Sequence, residues 1–83
     1  MTENLKGPML ERWLAELIAS IVEIPLNEID VEARFDRYGI DSAAAIGLAE
    51  ELELRLGRPI ESTVLYDHPT IRSLAAFLAG TAR

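Results

Sequence analysis

Leu10, Trp13, Leu14, Leu17, Ile18 and Ile21 recur at three- and four-residue intervals, and no stretch of the chain alternates convincingly in the period of two that a half-buried strand requires. This pattern turns folding into a problem of packing helices on one another. Glu11, Arg12, Glu16 and Ser20 fall on the opposite side of the same segment. Pro8 suits a first helical turn, where its missing N–H loses no bond. Pro25 stops the segment, so we expect an amphipathic helix from about Pro8 to Val22.

A second stripe is clearer still. Ala45, Leu48, Ala49, Leu52 and Leu56 stand at i, i+3, i+4, i+7 and i+11. Asp41 is placed to cap its start, Gly57 to end it, and Pro59 to prevent its continuation. Arg55 and Arg58 suit the negative end of the helix dipole. A third stripe, Ile71, Leu74, Ala75 and Leu78, follows Pro69 and a capping Thr70 and ends at Gly80. Between these, Ser62 to Tyr66 is either one helical turn or a brief strand.

The connection from Glu23 to Asp41 is long for a helical domain, and long ordered loops tend to carry function or a little structure. Leu26, Ile29, Val31 and Phe35 have neither helical nor alternating spacing, so we read them as anchors that pin the loop to the core. Leu26-Asn27-Glu28-Ile29 is a candidate for a single helical turn. The expected fold is an all-α four-helix bundle, three main helices plus one short helix, with a long loop between helices one and two. Its limits are a flexible N-terminus at 1–7, a domain at 8–80 and a tail at 81–83. With 83 residues and no cysteine, one domain must be held by packing alone.

Eight basic against fourteen acidic residues give a net charge of −6. Such a surface repels nucleic acid and anionic lipid and favours basic patches on partner proteins. It also serves simply to keep a small protein soluble. No apolar run reaches the length of a membrane span and no signal peptide is visible, so a cytoplasmic location is expected; the chain is also expected to be a monomer.

Candidates for chemistry are few. Ser42, His68 and Asp67 supply a Ser-His-Asp set by composition, but Gly39-Ile40-Asp41-Ser42-Ala43-Ala44 lacks the second glycine of a nucleophile elbow. The acidic loop fails as a calcium loop. Asp30 and Glu32 could be first ligands, but Arg34 stands at the third ligand position and Phe35 where glycine is needed. No glycine-rich phosphate loop is present. What remains is Ser42, directly after a capping Asp41. Alone it reads as an ordinary first helical residue. Its position also suits covalent modification, because another enzyme can reach a hydroxyl at a helix start and the free N–H groups there tolerate a phosphate.

The order Tyr38-Gly39-Ile40-Asp41-Ser42, then Leu48, Leu52, Leu56 and Gly57, then Leu65-Tyr66-Asp67-His68-Pro69-Thr70-Ile71, resembles acyl carrier domains of the polyketide-synthase type. The resemblance covers nearly the whole chain. It implies that a phosphopantetheinyl transferase, using Mg²⁺ and coenzyme A, attaches 4′-phosphopantetheine to Ser42. Acyl groups are then held on the arm as thioesters and delivered to partners, and the chain itself is not an enzyme. Implied partners are that transferase, acyl-adenylate ligase, ketosynthase and acyltransferase. Gly57-Arg58 and the Leu65–Ile71 segment look like carriers paired with fatty-acyl-adenylate ligases.

The resemblance also implies that the helix from Ser42 to Leu56 is the docking surface, with Ala43, Ile46, Glu50, Glu51 and Glu53 on it. The three glutamates read equally as a solvated face, and Ile46 equally as a partly buried residue. Ala43 stands where the family usually has Leu or Met, and Gly47 where Glu is common. Both flatten the surface. Two alternatives stay open: an unmodified helical docking module, which Ala43 and Gly47 favour, and an aminoacyl or peptidyl carrier. Asp67-His68-Pro69-Thr70 reads most simply as a turn that caps the last helix, with His68 structural or solvent-facing and Trp13 and Phe77 core or partly buried.

Overall fold

A computed structural model describes residues 8–80; the expected flexible N-terminus and C-terminal tail lie outside the described residues. Four helices follow in order: α1 (Pro8–Val22), α2 (Ser42–Leu56), α3 (Val64–Asp67) and α4 (Ile71–Gly80). The expected bounds of α1 and α2 hold to the residue. The open choice at Ser62–Tyr66 resolves as helix, because α3 occupies Val64–Asp67. The α4 helix reaches Gly80, at the limit of the described residues.

The stripes meet in one core. Leu14 and Ile18 of α1, Leu52 of α2, and Ile71 and Leu74 of α4 are fully buried, and Val64 and Leu65 of α3 close one side. Among the described residues no polar or charged side chain is buried, so burial of apolar area supplies the stabilisation. One stripe residue misses the core. Ile21 is 45% exposed. Glu11 near the start of α1 pairs with Arg72 near the start of α4. Phe77 is also exposed and stacks on the half-buried His68, ring centroids 4.2 Å apart.

The end of α1 has a cause that Pro25 alone does not supply. Glu23 adopts a left-handed φ of 63°, and the Ile24 N–H donates to the Ala19 carbonyl at 3.1 Å. This is a Schellman termination with glutamate where glycine is usual. Glu23→Gly is expected to raise stability by about 0.5–1 kcal/mol, the relief of left-handed strain less the added freedom of the unfolded chain. Urea unfolding followed by circular dichroism reads the change.

The long loop is ordered by backbone bonds as much as by side chains. Two 3₁₀ turns, Leu26–Glu28 and Phe35–Tyr38, interrupt it; the first is the expected turn, and the second was not foreseen. Phe35 is buried, and Ile29 and Val31 pack half-buried against the core. Leu26, expected as an anchor, is exposed, because its turn lies on the surface. The fastening comes from elsewhere. The Phe35 N–H donates to the Pro69 carbonyl at 2.8 Å, the Arg72 N–H donates to the Val31 carbonyl at 2.9 Å, and Arg34 and Thr70 form an isolated antiparallel bridge. The Arg72 guanidinium reaches both Glu11 and Glu32. Its hydrogen bond with Glu11, then the charges of Glu11 and Glu32, hold it above the usual arginine range. Loop, α1 and α4 are thereby tied together, which fixes where the chain enters α2.

No helix among the described residues is long and apolar enough to cross a membrane.

Candidate functional site

The chain approaches α2 through a tight turn. Gly39 closes the second 3₁₀ turn at φ 78°, and its N–H donates to the Asp36 carbonyl at 3.1 Å. Ile40 then buries its side chain and anchors the entry. Asp41 is extended, and its carboxylate accepts from the Ala44 N–H at 2.9 Å, the N-cap bond expected of it. The Ala45 N–H donates to the Asp41 carbonyl at 2.8 Å and starts the helix. Because Ala45 faces the core, the residues just before it face outward, and Ser42, Ala43 and Ala44 are all exposed. Asp41→Ala is expected to lower stability by about 0.5–2 kcal/mol, and Asp41→Asn to restore most of it. Denaturant midpoints of the two variants check this.

Ser42 is the first residue of α2, and its hydroxyl lies 2.5 Å from the Tyr66 hydroxyl of α3. That contact was not legible in the sequence. The two residues are 24 apart, with no shared period to join them. The one available hint was a tyrosine following Val64-Leu65 where the core needs only apolar side chains. Beside Ser42 lies an open groove of about 270 Å³, with Phe35, Ile40, Leu65 and Pro69 among its apolar lining and Arg34, Asp36, Asp41 and Tyr66 at its polar edge.

The Ser-His-Asp set does not assemble. Ser42 bonds Tyr66 while His68 stacks on Phe77. The acidic loop has structural work: the Asp30 carboxylate accepts from the Glu32 N–H at 2.9 Å, and the Tyr38 hydroxyl accepts from the Asp30 N–H at 2.7 Å.

The acidic face of α2 divides. Glu53 accepts the Ile60 N–H at 2.8 Å and fastens the α2–α3 connection. Glu51 is half-buried and paired with Arg55 at 2.6 Å. Glu50 is exposed and has no ion pair among the described residues. The Arg58 guanidinium, beyond the end of α2, donates to the Leu78 carbonyl of α4 at 2.8 Å. Ile46 is 44% exposed and Leu54, which was overlooked in the sequence, is 80% exposed. At 100° per residue, Ala43, Ile46, Gly47, Glu50 and Leu54 share an arc of about 100°. A Cβ at Gly47 would meet nothing within 4 Å, so packing does not require the glycine, and its effect is to flatten this face.

A family model described as the phosphopantetheine attachment site matches residues 12–78. Residues 12–78 contain Ser42, an exposed hydroxyl, and the first-turn N–H groups of Ser42 and Ala43 have no intrahelical acceptor, which suits a phosphate ester at this place. The chain is 34% identical over 70 residues to an acyl carrier protein, TtuC, of Teredinibacter turnerae, covering 84% of this chain and 80% of that one. It is 36% identical over 70 residues to a phenolphthiocerol/phthiocerol polyketide synthase of Mycobacterium tuberculosis, covering 84% of this chain but only 4% of that large protein. Among solved structures, a free-standing peptidyl carrier protein of Acinetobacter baumannii superposes with a TM-score of 0.88 at 29% identity, covering 96% of this chain and all of the other. An Anabaena acyl carrier protein with a variant phosphopantetheinylation-site sequence gives 0.82 at 28% identity, covering 93% and 88%. Family, fold and polyketide-synthase relatives agree: the chain belongs to the phosphopantetheine-attachment family of carrier domains, whose members hold a covalent 4′-phosphopantetheine.

Proposed function

We propose that this chain carries acyl groups for a polyketide or lipid pathway, with Ser42 as the residue that takes the phosphopantetheine arm. One observation carries the assignment of the residue: an exposed hydroxyl on the first residue of a capped helix, inside the matched segment and beside an open groove. Ser42 contributes the oxygen of the phosphoester and gives its proton to a base on the transferase, while a P–O bond of the coenzyme A pyrophosphate breaks and adenosine 3′,5′-bisphosphate leaves. Asp41 holds the helix start in one conformation, so the transferase meets a preformed surface. When bound, the group supplies a thiol on a long arm, where an acyl chain rests as a thioester. In this reading the chain catalyses nothing itself. It acts as a cytoplasmic monomer, and the transferase, acyl-adenylate ligase, ketosynthase and acyltransferase make and break the bonds.

Docking falls to the outer face of α2. Ala43, Ile46, Glu50 and Leu54 meet the partner directly, while Glu51 and Glu53, already engaged, add negative charge that steers encounter. Leu54→Ala is expected to leave stability within about 0.5 kcal/mol, because the side chain is exposed. If the residue is worth about 1 kcal/mol at the interface, KM for the carrier rises roughly fivefold with the loading enzyme while kcat stays unchanged. Steady-state loading kinetics check both.

The test of the whole reading is intact mass after incubation with coenzyme A, Mg²⁺ and a broad-specificity phosphopantetheinyl transferase. A gain of one phosphopantetheine is expected. No gain from a folded chain would leave the unmodified docking module as the reading to pursue. The likeness to a peptidyl carrier favours a second cargo, an aminoacyl or peptidyl group. Loading the modified chain in parallel with fatty-acyl-adenylate ligases and amino-acid adenylation enzymes decides between them.

A further inference from the structure

Among the described residues the attachment hydroxyl makes one hydrogen bond, to Tyr66, and neither atom is fixed as its donor. Both residues are exposed, Tyr66 by 61%, so no burial forces them together. Tyr66 sits on α3, whose Val64 and Leu65 are locked in the core; the Tyr66 N–H donates to the Thr63 carbonyl at 2.9 Å. The phenol is therefore presented from a rigid turn. At 2.5 Å the pair stands at the short end of the range for O–H···O bonds.

Resting on the reading of Ser42 above, we propose that Tyr66 is a positioning residue for the arm: its hydroxyl becomes a fixed donor to the phosphoester and turns the base of the arm toward the groove between α2 and α3. The reasoning is one of hydrogen count. An unmodified serine hydroxyl both donates and accepts. Once Oγ is esterified it has no hydrogen and only accepts. The same is true of the non-bridging phosphate oxygens two bonds away, which carry the negative charge and are the stronger acceptors. Modification thus removes one of the two directions open to the pair and leaves Tyr66 as donor to an anion. The groove on that side is edged by Arg34 and by the carboxylates of Asp36 and Asp41; Asp41 is engaged by the Ala44 N–H, and Asp36 meets the Arg34 guanidinium only in a long, exposed contact of 3.5 Å. A single exposed ion pair of that kind holds an arginine weakly, so Arg34 remains available to the phosphate. The free N–H groups of Ser42 and Ala43 hold the phosphate at the helix start, and beyond them the exposed face of α2 offers Ala43, Ile46 and Gly47, none of which donates from its side chain. The inferred lean is therefore toward α3, and it leaves the docking face of α2 clear for partners.

Phosphorus NMR on the modified chain tests this. Intact mass first establishes that the arm is attached. The ³¹P resonance of Tyr66→Phe is then compared with that of the wild type; phenylalanine keeps the ring and removes only the hydroxyl. We expect the resonance to move and to narrow, because the phosphate loses its fixed donor. In parallel, tyrosine labelled at ring carbon Cζ is followed before and after modification. The Tyr66 signal is expected to shift. Tyr38, whose hydroxyl is held by the Asp30 backbone, serves as the unmoved control. Coincident ³¹P resonances together with an unmoved Tyr66 signal, in a chain that has taken up the arm, would overturn the positioning role and leave the carrier reading standing. A chain that takes up no arm overturns both.

Discussion

Ser42→Ala is expected to abolish uptake of phosphopantetheine completely while leaving the bundle folded. The two halves of this expectation have separate causes. The hydroxyl oxygen is the atom that would form the phosphoester, and alanine offers none, so the loss is total and not graded. The fold is spared because Ser42 is exposed, packs on nothing in the core, and is replaced by the best helix former. The lost bond to Tyr66 lies at the surface, so the stability change should stay within about 0.5 kcal/mol. Ser20, Ser62 and Thr63 are also exposed hydroxyls, and they define the competing outcome. Ser20 lies within α1, and Ser62 and Thr63 precede the four-residue α3, where Thr63 makes no side-chain capping bond. None stands at the start of a long helix behind a capping aspartate. A mass gain that survives in Ser42→Ala would mean that another hydroxyl is used, and the site assignment would fail. Intact mass and far-ultraviolet circular dichroism of the same sample separate loss of the atom from loss of the fold.

The sequence made some of this architecture legible and hid other parts for identifiable reasons. The α1 and α2 helices could be bounded because periodic leucines lie between strong punctuation, Pro8 and Pro25 for one, Asp41 and Gly57 for the other. Thr70 was legible as a cap, and its Oγ1 accepts the Ser73 N–H at 3.1 Å. The order of the long loop was not legible, because its main fasteners are backbone groups of Val31, Phe35, Pro69 and Arg72, and a backbone bond leaves no mark on residue identity. Periodicity also overcounted the core. It places Ile21 on the apolar face of α1, where the side chain is nevertheless 45% exposed. It passed over Leu54, which lies off the stripe of α2 and could have been noticed for that reason. At the site, Asp41 and Ser42 were evident from adjacency and spacing. Tyr66 was not, because a contact between α2 and α3 depends on how a short connection folds back, and Glu53 bonding the Ile60 N–H is part of what sets that path.

Leu52→Ala should do the opposite of Ser42→Ala, removing the fold and leaving the reactive atom in place. Leu52 is fully buried at the centre of the α2 stripe, among side chains from all four helices. Truncating such a leucine costs about 2–5 kcal/mol, the lost transfer energy plus the cavity left behind. A domain of 83 residues has a total stability of roughly 4–12 kcal/mol at the usual 0.05–0.15 kcal/mol per residue. The substitution therefore removes a large part of the total, and no disulfide is present to offset it. For a domain of this size the melting midpoint should fall by roughly 10 °C or more. Modification should fall with it, since a transferase that reads Ser42 on a capped helix finds no such helix in the unfolded ensemble. This coupling distinguishes the two variants. Ser42→Ala loses modification at every temperature, whereas Leu52→Ala loses it along its own melting curve and recovers it on cooling. Should Leu52→Ala melt well below the wild type yet be modified at full rate above its midpoint, the transferase would be reading the local sequence around Asp41-Ser42, and the preformed helix start would have no part in recognition.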